Sequence, residues 1–188
     1  ITCRDWSSDV CSSDLARSGD LASWSRASPT PVLSPGPPGS WDELWVESPS
    51  VRYDGDTGTL HMWYTGVDAT WTVRIGHATS QDGLVWTKDP SNPVLGERHP
   101  SRSDWTVWDG TGAGVASAFR ANGSWHLFYA SQSLLDTWAK ARNPSIGVAS
   151  SRDGSAFERR GDGPLFGRAE TACQPDGPYN PSVLYRDG

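Results

Sequence analysis

The chain of 188 residues is poor in cysteine, methionine and positive charge, and it has no long apolar run. Cys3 and Cys11 lie in an N-terminal stretch set aside below, which leaves Cys173 alone, so neither a disulfide framework nor a cysteine-based zinc site is expected. The longest uninterrupted apolar stretch is a few residues, far short of the ~20 that cross a bilayer, and no membrane span is expected. The 16 Lys and Arg are scattered among 22 Asp and Glu, for a net charge of −6. Nucleic acid is therefore not an expected partner, because phosphate binding wants a clustered basic face. No residue pattern marks a cofactor or a metal site, so none is expected.

Residues 1–15 lack an initiator Met and carry the low-complexity run Trp6-Ser7-Ser8-Asp9-Val10-Cys11-Ser12-Ser13-Asp14-Leu15. The segment looks like a translated cloning or sequencing adapter and is left out of the fold reasoning. A native disordered leader is the alternative. One Arg against three Asp in this segment leaves −4 for the remainder.

What the chain does have is a threefold internal echo. Ser18-Gly19-Asp20-Leu21-Ala22-Ser23-Trp24, Ser80-Gln81-Asp82-Gly83-Leu84-Val85-Trp86 and Ser151-Arg152-Asp153-Gly154-Ser155-Ala156-Phe157 share the pattern Ser-x-Asp-x-x-x-aromatic, and the copies start 62 and 71 residues apart. Each leads to a Pro-apolar exit, at Pro31-Val32-Leu33, Pro93-Val94-Leu95 and Pro164-Leu165-Phe166. Short strand-like runs at such a period indicate radially repeated sheets. The expected fold is all-β: a β-propeller of four-stranded antiparallel blades. Asp54-Gly55, Asn122-Gly123 and Asp187-Gly188 stand where the first strand of a blade would turn into the second, and such pairs supply the positive φ of tight hairpins.

The repeat sets the expected boundaries. Residues 16–34 are the last strand of one blade, 42–95 and 105–166 are whole blades, and 173–188 begin another, about two and a half blades in all. At about 65 residues per blade a five-bladed ring needs roughly 330 residues, so the chain reads as a piece of a larger propeller. The compartment stays open, with a secreted or periplasmic setting the expectation.

Chemistry in a propeller sits where the inner strands begin. Residues 41–49, 104–112 and 170–180 lead into those strands, and all three carry carboxylates, two of them with paired tryptophans. Sugar rings stack their C–H faces on aromatic planes and hydrogen-bond their hydroxyls to carboxylates, so a carbohydrate partner is expected. Asp20, Asp82 and Asp153 recur and read as turn formers that bind their own backbone. Trp24, Trp86 and Phe157 recur as packing residues. His61 and His126 recur at one strand position and read as structural, as does His77.

The run Ser48-Pro49-Ser50-Val51, Asp54-Gly55, His61-Met62-Trp63-Tyr64-Thr65-Gly66, Ile75-Gly76-His77-Ala78-Thr79-Ser80, Asp82-Gly83, Trp86 and Asn92-Pro93-Val94-Leu95 resembles the blade repeat of the five-bladed β-propeller glycoside hydrolases, the superfamily of families 32, 43, 68 and 130. The resemblance implies three acidic residues at inner-strand entrances in successive blades: a base or nucleophile, a transition-state stabiliser and a general acid. The first of these stands before a proline in that superfamily. The matching place here is Ser48, with Ala116 and Asn180 in the later units, and none is an acid.

Glu47, Asp109 and Asp176 do not recur at aligned positions, and acids that a repeat does not require are the catalytic candidates. Glu47 is one place before Ser48, and would serve only from an irregular strand entrance. Asp109, beside Trp108, would be the proton donor if the ring desolvates it. Trp45, Trp71, Trp105 and Trp108 are the sugar-stacking candidates, with Asn180 added to the substrate-facing set. The expected activity is paired-carboxylate glycoside hydrolysis. A non-catalytic glycan-binding or protein-interaction propeller is the alternative.

Overall fold

The computed structural model describes residues 13–98, 108–110, 112–131, 145–167, 178 and 180–186. Among the described residues the secondary structure consists of strands and turns, with no helix. The strands are β1 (Ala16–Arg17), β2 (Ser25–Arg26), β3 (Trp45–Asp54), β4 (Thr59–Val67), β5 (Val73–Ser80), β6 (Thr87–Lys88), β7 (Ala113–Ala121), β8 (Ser124–Ser131), β9 (Ile146–Ser151) and β10 (Glu158–Arg159). Two four-stranded antiparallel sheets, β3-β4-β5-β6 and β7-β8-β9-β10, are the two whole blades, and β1-β2 is part of a third. The fold is all-β, with the four-stranded antiparallel sheets of a β-propeller.

The third blade holds more than the single strand expected. Ser13 bridges to Leu33 just as Ile75 bridges to Leu95 and Ile146 to Phe166, so Ser13, Asp14 and Leu15, set aside on sequence, take the place of a blade's third strand. They fit it poorly. The Ser13 hydroxyl and one Asp14 carboxylate oxygen are buried without hydrogen-bond partners, where the other blades have isoleucine and glycine.

The recurring aspartates build the turn before each outermost strand. Asp20 accepts from the amides of Ala22 and Ser23, Asp82 from Leu84 and Val85, and Asp153 from Ser155 and Ala156, all at 2.8–3.0 Å. These amide donors hold each carboxyl below its ordinary value, Asp153 at about 2. The hairpins divide. Asn122 and Gly123 (φ 50° and 71°) form the expected two-residue turn, whereas Asp54-Gly55 opens a longer loop closed by the Gly58 amide on the Asp54 carbonyl, with the positive φ at Gly58.

A second recurring unit was missed on sequence. Trp41 lies over Gly66 and Gly76 against Tyr64, and the buried Asp42 accepts from the Tyr64 hydroxyl (3.2 Å) and pairs with Lys88 (2.5 Å). Trp108 lies over Gly147 and stacks on Tyr129, and Asp109 accepts from the Tyr129 hydroxyl (2.8 Å) and Arg159 (2.6 Å). The glycines are obligatory, since a Cβ at Gly76 would stand 2.6 Å from the Trp41 ring. In each blade this unit ties the lead-in of the innermost strand to the outermost strand.

The seam between the two blades has an apolar core. Trp63, Ile75, Val94 and Leu95 pack against Ala113, Ala116, Ala118, Trp125, Leu127, Tyr129 and Ala149. Trp63 is fully buried, and its indole N–H donates to the Gly154 carbonyl at 3.0 Å. Burying roughly 200 Å² of such a ring contributes about 5 kcal/mol. The inner strands are also laced by one hydroxyl each, with the Ser50 Oγ accepting from the Ala118 amide and the Ser117 Oγ from the Val183 amide, both at 3.0 Å. Val94 and Leu95 are 8% and 3% exposed in this seam, while their counterparts Leu165 and Phe166 are 48% and 44% exposed. The far face of the β7–β10 sheet carries no sheet among the described residues.

Candidate functional site

Both inner strands begin irregularly. The β3–β4 ladder shifts register between Glu47 and Ser50, and the β7–β8 ladder between Gly114 and Ser117. The kink falls on residues with left-handed backbone, Ser48 (φ 50°) and Val115 (φ 47°), and Asn180 (φ 58°) has the same conformation ahead of Pro181. Unit two therefore aligns through Val115 rather than Ala116. By the same alignment Trp45 and Glu47 correspond to Gly112 and Gly114, so neither is required by the repeat.

Side chains alternate along a strand. Val46 points into the cluster of Leu33, Met62, Tyr64 and Ala78, so Trp45 and Glu47 project from the opposite face, across the ladder from Val67 and Thr65. Trp71, in the β4–β5 turn, meets Trp45 edge to face with ring centroids 5.0 Å apart. The structure thus joins two of the expected sugar-stacking residues. Trp71 is 45% exposed on a left-handed backbone (φ 62°), and its turn is rigidly held. Asp68 accepts from the amides of Thr70 (2.8 Å) and Thr72 (3.1 Å), and the Glu43 carboxylate accepts from the Ala69 amide (3.0 Å). Arg74 grips Glu97 through two nitrogens (2.7 and 2.9 Å) and reaches Asp68 at 2.8 Å.

These carboxylates are committed, and Glu47 is not. It is half-buried, and no hydrogen bond or ion pair to another described residue engages it. Burial pushes its carboxyl up from the ordinary value, whereas the Arg74 guanidinium holds Glu97 down. A carboxyl that keeps its proton closer to neutrality, on the same strand face as Trp45, can donate to a leaving oxygen or, once ionised, take a proton from water.

The other candidates fall elsewhere. Asp109 is fully buried, with one oxygen engaged by Arg98 (2.8 Å) and the other by Arg159 and Tyr129. That is the geometry of a structural link, not of an accessible proton donor, and Asp42 repeats it. Trp108 is likewise committed to Tyr129 and Gly147 rather than to a sugar. The clue was the shared dipeptide Trp-Asp at 41–42 and 108–109, hidden because each lead-in carries a second tryptophan. Asn180 is exposed at the third kink. Trp105 and Asp176 lie outside the described residues. Among the described residues no three His, Cys, Asp or Glu side chains converge as metal ligands.

No protein-family model matches the chain. It is 32% identical over 87 residues to an A type blood N-acetyl-α-D-galactosamine deacetylase of Flavonifractor plautii, a match that covers 38% of this chain and 11% of the deacetylase. Among solved structures, fructan 1-exohydrolase IIa of Cichorium intybus superposes on 84% of the chain with a TM-score of 0.62 at 20% identity, and 27% of that enzyme is covered. A family 130 glycoside hydrolase that targets β-1,2 mannosidic linkages superposes on 88% with a TM-score of 0.58 at 18% identity, and 44% of it is covered. The chain has the β-propeller fold of the glycoside hydrolases. It spans less than half the length of each of these proteins.

Proposed function

We propose that this chain is part of a five-bladed propeller glycosidase in which Glu47 is one of the two working carboxyls and the Trp45–Trp71 corner is a sugar-stacking wall. The observation that carries this reading is the uncommitted, half-buried Glu47, on the same strand face as Trp45 at an inner-strand entrance, where the next blade has only glycine. Asp176, in the third lead-in, is retained as the second carboxyl. A separation of ~5 Å between the two would mark a retaining enzyme and ~6.5–9.5 Å an inverting one. Trp71, on its braced turn, would hold the sugar ring with little loss of side-chain freedom on binding.

The test is turnover of a panel of α- and β-glycosides and oligosaccharides by the intact protein. Glu47→Gln is expected to lower kcat/KM by about 10²–10⁴-fold, and Trp71→Ala to raise KM with a smaller effect on kcat. Unchanged turnover in Glu47→Gln would refute the assignment. Glycan binding without turnover by the wild-type protein would establish the binding propeller instead.

A further inference from the structure

The seam between the two blades contains a polar line that packing does not require. The Asp89 carboxylate meets His77 Nδ1 at 3.1 Å, and His77 Nε2 meets His61 Nδ1 at 3.0 Å. His77 is 3% exposed and His61 half-buried, and both rings lie parallel to Trp63 within 6 Å. The neighbouring blade closes over the line at both ends. Ser155 donates to Asp89, and Trp125 packs on His61 with centroids 5.0 Å apart. Arg120 lies over Trp125 and pairs with Asp54. In the β7–β10 sheet the same three places hold Arg160, Val148 and His126, and His126 there bonds to Ser150. A blade can thus be built without the histidine pair.

We propose that Asp89, His77 and His61 form an acid-sensitive lock on this seam, closed while both imidazoles are neutral and loosened when the pair takes up protons. The 3.0 Å nitrogen–nitrogen contact needs one ring to donate and the other to accept. One added proton can be shared along the line toward Asp89, but two leave N–H facing N–H. The surrounding charges are mixed. Asp54 and Arg52 come from β3, Arg120 from β7, Asp89 from the segment after β6 and Asp153 from the turn after β9.

Burial depresses both imidazoles below their ordinary value, an effect partly offset at His77 by Asp89 and at His61 by Asp54. For a depressed histidine the folded state binds fewer protons than the unfolded one, so stability is full above the unfolded value of about 6.5 and is lost as pH falls below it.

The intact protein is unfolded in urea at about pH 8 and about pH 5, spanning the imidazole range, as wild type and as His77→Val and His61→Gln. His77→Val installs the residue that the next blade uses. The expected result is a wild-type midpoint that falls with pH and a clearly smaller fall in both variants. Independently, tryptophan emission of the folded wild type is expected to be quenched on acidification to well below pH ~6.5, because imidazolium quenches the adjacent Trp63 and Trp125, and His61→Gln is expected to lose that step. A pH slope equal in wild type and variants, or a quenching step at the ordinary imidazole value, would overturn the proposal. If His77→Val does not fold, His61→Gln and the emission titration decide.

Discussion

Replacing Asp109 by Asn separates a structural keystone from a proton donor. Asp109 is fully buried, and its carboxylate is met by two guanidiniums, from Arg98 (23% exposed) and Arg159 (19%), and by the Tyr129 hydroxyl. The amide removes the negative charge and keeps the shape, leaving Arg159 without its carboxylate and Arg98 with only the exposed Asp162 at 3.6 Å. Breaking a buried pair from one side costs about 3–5 kcal/mol, a large share of the about 5–15 kcal/mol that holds a domain folded. With an m-value of about 2 kcal/mol/M, the urea midpoint of the intact protein should fall by about 1.5–2.5 M. The parallel change Asp42→Asn should cost less, about 2 kcal/mol, because its single cation, Lys88, is 30% exposed and partly hydrated. Unfolding in urea followed by circular dichroism reads both. A midpoint unchanged in Asp109→Asn, together with abolished glycan turnover, would refute the keystone reasoning and return Asp109 to the role of acid.

Two further perturbations probe the seam and the kink. Ser50→Ala leaves the Ala118 amide without its acceptor between the blades and should cost about 1–3 kcal/mol, with faster hydrogen exchange at Ala118; unchanged exchange would mean that another acceptor replaces the hydroxyl. Val115 is a β-branched residue held at φ 47°, a conformation that costs about 1–3 kcal/mol. Val115→Asn, which places there the residue found at the third kink, should raise the urea midpoint, and a lowered midpoint would show that the packing of the valine outweighs its strain.

Periodicity carried the fold. Three copies of one turn, with Pro-apolar exits, were enough to place four strands per blade, because hydrogen bonding by Asp82 and its counterparts is local and is written in adjacent residues. The site was only partly legible. Glu47 stands out because it does not recur, but the contact of Trp45 with Trp71 depends on a turn braced from a distance, by Glu43 on the Ala69 amide and by Glu97 on Arg74, which no local pattern reveals. Asp109 does not read as recurring on sequence because each lead-in carries a second tryptophan, which conceals its twin Asp42. The line of His61, His77 and Asp89 was out of reach for another reason: a recurring histidine reads as structural until its diagonal neighbour on the next strand is known to be a second imidazole.

The Trp-Asp unit has a consequence for how such a chain can evolve. Trp41, Asp42, Tyr64 and Lys88 all belong to one blade, as do Trp108, Asp109, Tyr129 and Arg159. Each module carries its own internal fastening from first strand to last, separate from the apolar and polar contacts it makes with its neighbour. A gene segment encoding one blade can therefore be duplicated together with a partner for the carboxylate of its Trp-Asp unit. Freed from that duty, the positions at the inner-strand entrance can diverge, so that one copy presents Trp45 and Glu47 where the next presents two glycines.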